Sequence, residues 1–132
     1  MPNSATNGWG FSAGGVPVTA ALAEDLNADG VPEVFLGRED GFVNVFALDG
    51  GKPIAMLNAA GPVLGLAMLQ DRKGRACLAV GTQFGVHLVG PDFKRRGMRA
   101  MPAAAFAGPG GKDRDRAFVV DASGHVTVLI LK

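Results

Sequence analysis

A chain of 132 residues, 48% apolar and 19% charged, is long enough for one domain with a sizeable core and too apolar for a disordered segment. Its net charge of +1 supplies no bulk field for nucleic acid or acidic membrane, and a single cysteine, Cys77, excludes an internal disulfide. No apolar run approaches the ~18 residues that cross a bilayer, and the stretch from Met1 to Asn7 lacks the basic start and apolar run of a signal peptide.

In chain order, Gly8-Trp9-Gly10-Phe11-Ser12-Ala13 comes first, short and aromatic, and reads as a stray outer strand. Pro17-Val18-Thr19-Ala20-Ala21-Leu22 then opens a unit that restarts twice, at Pro62-Val63-Leu64-Gly65-Leu66-Ala67 and, degraded, near Ala103-Ala104-Ala105-Phe106. The three units span 17–61, 62–102 and 103–132. Each holds an apolar run, a glycine turn and a second apolar run. In the first these are Val34-Phe35-Leu36-Gly37, Asp40-Gly41 and Phe42-Val43-Asn44-Val45-Phe46. The second has Leu78-Ala79-Val80-Gly81, Phe84-Gly85 and Val86-His87-Leu88-Val89; the third has Ala117-Phe118-Val119-Val120, Ser123-Gly124 and His125-Val126-Thr127-Val128-Leu129-Ile130. β-Branched and aromatic runs bounded by Gly, Asp and Ser predict hairpins, and Gly or Pro interrupts every stretch long enough for a helix. Fourth strands are predicted at Pro53–Leu57 and Gly97–Met101; the third unit stops after its third strand.

The opening strand of each unit is rich in small residues, which suits strands crowded around a common axis. The middle strands are apolar on both faces, Phe42, Phe46 and Leu48 on one and Val43, Val45 and Ala47 on the other. A sheet apolar on both faces must be stacked between neighbours. The expected fold is therefore all-β, a β-propeller segment of three four-stranded blades.

Between the first two strands lies Asp25-Leu26-Asn27-Ala28-Asp29-Gly30-Val31-Pro32-Glu33. Asp25, Asn27 and Asp29 offer side-chain oxygens, Val31 its carbonyl and Glu33 a ninth-position carboxylate, with Gly30 permitting the sharp turn. Hard oxygen ligands at this spacing suit Ca2+ rather than zinc. An EF-hand is excluded, because position twelve is Leu36 and lies in a strand. The competing reading is an Asx-rich turn whose side chains cap their own backbone.

The run Ala23 to Gly37 resembles the FG-GAP and VCBS repeats, including integrin α-subunit propellers, and Glu39 to Lys52 resembles the PQQ-type repeat of bacterial propellers. The motif is specific in the first unit only. The second and third units have Asp71-Arg72-Lys73-Gly74-Arg75 and Lys112-Asp113-Arg114-Asp115-Arg116 at the matching turn. The resemblance thus implies at most one calcium site, and an extracellular or periplasmic location.

Three blades fall short of the four to eight of closed propellers. An arc leaves two apolar faces and one strand edge open. Identical chains are expected to close head to tail, as six blades in a dimer or nine in a trimer, with 8–13 lent to the neighbour's last blade. Residues 17–61 carry seven acids and two bases (net −5) and residues 62–132 five acids and eleven bases (net +6), so an acidic first unit would meet a basic last one. The alternative is a fragment of a longer propeller.

Other candidates have ordinary readings. His87 and His125 have no partner at metal spacing, and Cys77 sits in an apolar strand as a small core residue. Gly108-Pro109-Gly110-Gly111-Lys112 lacks the Ser/Thr and helix of a phosphate loop. Arg72, Lys73 and Arg75, and Lys94, Arg95, Arg96 and Arg99, lack interleaved aromatics, so no nucleic-acid groove is expected. No catalytic constellation is present. The expected function is a non-enzymatic, self-assembling scaffold that binds protein or glycan. The alternative is an accessory propeller of a secreted polysaccharide-active or quinoprotein-type enzyme.

Overall fold

The computed structural model describes residues 8–108 and 114–131. Among them the chain forms strands and turns and no helix. β1 (Val18–Glu24), β2 (Glu33–Arg38), β3 (Phe42–Ala47) and β4 (Pro53–Asn58) make one antiparallel sheet in that order. β5 (Val63–Gln70), β6 (Ala76–Thr82), β7 (Gly85–Val89) and β8 (Arg95–Ala100) make a second. β9 (Ala105–Ala107), β10 (Arg116–Val120) and β11 (Val126–Ile130) make a third, of three strands. These are three blades, and each has one hairpin turn that carries an aspartate: Asp40 between β2 and β3, Asp71 between β5 and β6, and Asp121 between β10 and β11. Each accepts backbone N–H from its own turn, which satisfies donors that the ladder leaves unpaired. Their carboxyls are held below the usual range, by Arg38 for Asp40 and by the N–H groups of Arg75 and His125 for the others.

Side chains alternate across each strand, so every blade has two faces. The back of the first blade (Phe35, Val43, Val45) packs on the front of the second (Leu78, Val80, Val89). The back of the second (Leu69, Ala79, Val86) packs on the front of the third (Phe106, Ala117, Val119). Stacking thus explains why the middle strands are apolar on both faces.

The glycines near the ends of the second strands, Gly37 on β2 and Gly81 on β6, have a steric reason. A Cβ at Gly37 would lie 2.5 Å from Val63 Cγ1, and one at Gly81 would lie 2.6 Å from Phe106 Cβ. Each blade therefore seats its successor's inner strand against a bare backbone. Thr19 adds a bond across the first such seam, its hydroxyl donating to the Val63 carbonyl at 2.6 Å.

Several expectations shift. Gly8–Ala13 forms no strand within the chain. Trp9 and Phe11 instead lie on Phe46 of their own first blade, ring centroids 5.7 and 4.8 Å away, and the Trp9 indole donates to the Leu48 carbonyl at 2.8 Å. Within one chain the segment is therefore an aromatic strap on the front of the first blade. Leu48 falls beyond β3 and is exposed. The fourth strand of the second blade begins two residues earlier than predicted, at Arg95. Most of Gly108–Lys112 lies outside the described residues.

Candidate functional site

The loop between β1 and β2 brings three of the five predicted oxygen donors together. Oxygens of Asp25, Asp29 and Glu33 all lie within 4.8 Å of one another. The sequence forces this. Ala28 and Gly30 take left-handed backbone conformations (φ 60° and 88°), folding the loop back over the start of β2, where Glu33 is the first residue. Glu33 is 1% exposed and its Oε1 accepts the N–H groups of Leu26 (2.7 Å) and Asn27 (3.4 Å). Burial raises its pKa, those two bonds lower it, and the charges of Asp25 and Asp29 push it up again.

The remaining contacts are local. Asp25 accepts from the Asp29 and Gly30 N–H groups at 3.2 and 2.8 Å. Asn27 Oδ1 accepts from Asp29 N–H at 3.3 Å, and Asp29 Oδ1 from Val31 N–H at 2.9 Å. Asn27 and Val31 are thus tied into the turn through backbone donors. The donor set still fits Ca2+: oxygens on opposite sides of an ion bound at about 2.4 Å stand about 4.8 Å apart, and a carboxylate has lone pairs for both an N–H and an ion. Leu26, 1% exposed, anchors the loop in the seam between the first two blades.

The basic clusters resolve into turn chemistry. Arg75 pairs with Asp71 at 2.5 Å and Arg96 with Asp92 at 3.4 Å. By blade, residues 62–102 hold two acids and seven bases (net +5), and residues 103–132 three acids and four bases (net +1). The positive charge therefore sits in the middle blade, already beside the acidic one, and not at the far end. Cys77 is half-buried, and burial pushes its thiol pKa up.

One feature escaped the sequence reading. His87 is buried on the front of the second blade, and its Nδ1 has no partner among the described residues. Burial and the nearby Arg95 charge lower its pKa. The open apolar face expected at the end of an arc is the back of the third blade, where Phe118, Val126, Val128 and Ile130 are 38–63% exposed.

No family model and no curated protein matches the chain. Solved structures do. BBS1N, in complex with ARL6DN, gives a TM-score of 0.58 at 8% identity, covering 86% of this chain and 43% of that one. The Pan2 WD40 domain of Neurospora crassa gives 0.55 at 11% identity, covering 89% and 39%. The fold is a propeller arc. The chain spans about two-fifths of the length of each of these structures. FG-GAP and VCBS kinship stays a resemblance carried by residues 23–37, and the likeness that a family-independent comparison finds is to propellers that include a WD40 domain.

Proposed function

We propose that this chain is a non-catalytic β-propeller interaction module whose working surface is the open end of its blade stack. One observation carries the reading: the back of the third blade exposes Phe118, Val126, Val128 and Ile130 side by side, where the same face of the other two blades is packed. A contiguous apolar face of this kind marks a protein contact. The loop at Asp25, Asp29 and Glu33, with Asn27 and the Val31 carbonyl beside them, would hold a structural Ca2+ that pins the first seam. When bound, the ion supplies positive charge that offsets three crowded carboxylates.

A second reading is an accessory propeller within a larger secreted polysaccharide-active or quinoprotein-type enzyme, with the chain spanning about two-fifths of each of the two propellers it matches. A photo-crosslinking residue at Val128, in the cells that make the protein, tests the first. Adducts to protein at Val128 and not at the exposed hairpin tip Ser123 are expected. Equal labelling at both positions overturns it, and glycan-array binding unaffected by Val128→Glu would shift the surface elsewhere.

A further inference from the structure

We infer that the back of the third blade is covered by the front of the first blade of a second copy, so that two chains close a six-bladed ring. This rests on the interaction-module reading and names its partner. The two free faces are opposites. Val34 and Leu36 on β2 occupy the register positions of Leu78 and Val80 on β6 and of Ala117 and Val119 on β10, all facing forward. Phe118 on β10 occupies the position of Phe35 on β2 and Ala79 on β6, both facing back. Each internal seam joins one back to one front, and the arc ends in one unused front and one unused back. A head-to-tail joint repeats an interface the chain has already built twice, whereas back-to-back pairing repeats none.

Two unpaired backbone edges meet at the same joint. β11 pairs with β10 alone among the described residues, and beside it an open apolar groove of about 300 Å3 runs between Val86 and Leu88 of the second blade and Leu129 and Leu131. At the other end, the backbone of Gly8–Ser12 makes no backbone–backbone hydrogen bond among the described residues, while Trp9 and Phe11 hold it on the front of the first blade through Phe46. In the joint this segment lies beside β11 of the neighbour, as the fourth strand its last blade lacks. Charge does not drive the pairing, since the last blade is nearly neutral. At the hub the joint differs from the internal ones: Val120 stands where Gly37 and Gly81 admit the next inner strand, so the second copy seats further out there.

The test is the mass of the purified chain by light scattering, with two exposed-face variants. Phe118→Glu/Val128→Glu blocks the back, and Ala21→Glu/Met56→Glu blocks the front. The wild type is expected at twice the 13.5 kDa of one chain. Each variant alone should be monomeric, with association weakened on the order of 100-fold or more by charge buried in an apolar joint. An equimolar mixture should recover a dimer, because one intact back remains for one intact front. Dilution of the wild type should also shift Trp9 emission to the red as the joint opens, a readout that needs no variant. A monomeric wild type overturns the proposal, as does a trimer, a front-blocked variant that stays dimeric, or a mixture that stays monomeric. If the chain is monomeric yet Val128 crosslinks to a different protein, the self-pairing falls and the interaction-module reading stands; no adduct at Val128 removes both.

Discussion

Replacing Glu33 separates an ion-holding loop from a self-capped turn. Glu33→Ala strips the acceptor from the buried Leu26 N–H, and an orphaned buried donor costs about 1–3 kcal/mol. At this chain length each kcal/mol is worth roughly 3–5 °C of melting temperature. Glu33→Gln keeps a carbonyl oxygen for Leu26 while deleting a charge that is buried and repelled by Asp25 and Asp29. In EDTA the Gln variant should therefore melt at or above the wild type, and the Ala variant well below it. Calcium at a hundred times its dissociation constant should raise the wild type by about 2.7 kcal/mol. The Gln variant, with two of three carboxylates left, should gain little. Thermal melts of the three proteins in EDTA and in calcium decide it. A Gln variant that falls as far as the Ala variant in EDTA would refute the charge argument. Identical wild-type melts in the two buffers would leave the loop closed by its backbone bonds alone.

Gly81→Ala should cost about 2–3 kcal/mol in urea unfolding, because its Cβ would press into Phe106, whereas Gly97→Ala on β8, with open space around it, should stay within about 0.5 kcal/mol. Burial lowers the pKa of His87, so the unfolded chain takes up the proton first. Stability should be fully present above about pH 6.5 and decline as pH falls through that value toward the depressed folded pKa, and His87→Gln should flatten the slope between pH 7 and 5. Ala28→Gly removes a left-handed alanine and should gain ~0.5 kcal/mol in EDTA, the relief of strain exceeding the added unfolded-state freedom. A loss on that substitution would mean that the loop does not need the turn at Ala28.

Much of the architecture was legible because β-sheets write their geometry into the chain with period two. Ala79 and Val80 are neighbours in sequence yet serve different seams, and only a stacked sheet needs both to be apolar. The glycine at position 37 recurs at 81, and a seam explains both. The convergence of Asp25, Asp29 and Glu33 was legible too, since Gly30 permits the turn that folds them together. What the pattern lacked was competition. Asn27 reads as a ligand by type, and its Oδ1 also accepts the Asp29 N–H at 3.3 Å, a local bond that spacing alone does not announce. Trp9 and Phe11 alternate as a strand would, and within one chain they pack on the Phe46 ring. His87 carries no marker at all, because an imidazole between valine and leucine reads the same whether its face is open or closed.

The blade-by-blade charge is the most instructive of these misreadings. Pooling residues 62–132 gave one basic block and suggested that opposite charges hold the ends together. Divided at the seam, the positive charge belongs to the middle blade, where Arg75 and Arg96 answer aspartates in their own turns. Exposed pairs of this kind contribute ~0–1 kcal/mol and are screened by salt. Any association through the open end therefore draws on apolar area and backbone pairing. It should strengthen or hold as salt rises from 0.05 to about 0.5 M, where a charge-driven joint would weaken. Light scattering across that range gives the sign, and dissociation at high salt would return the weight to electrostatics.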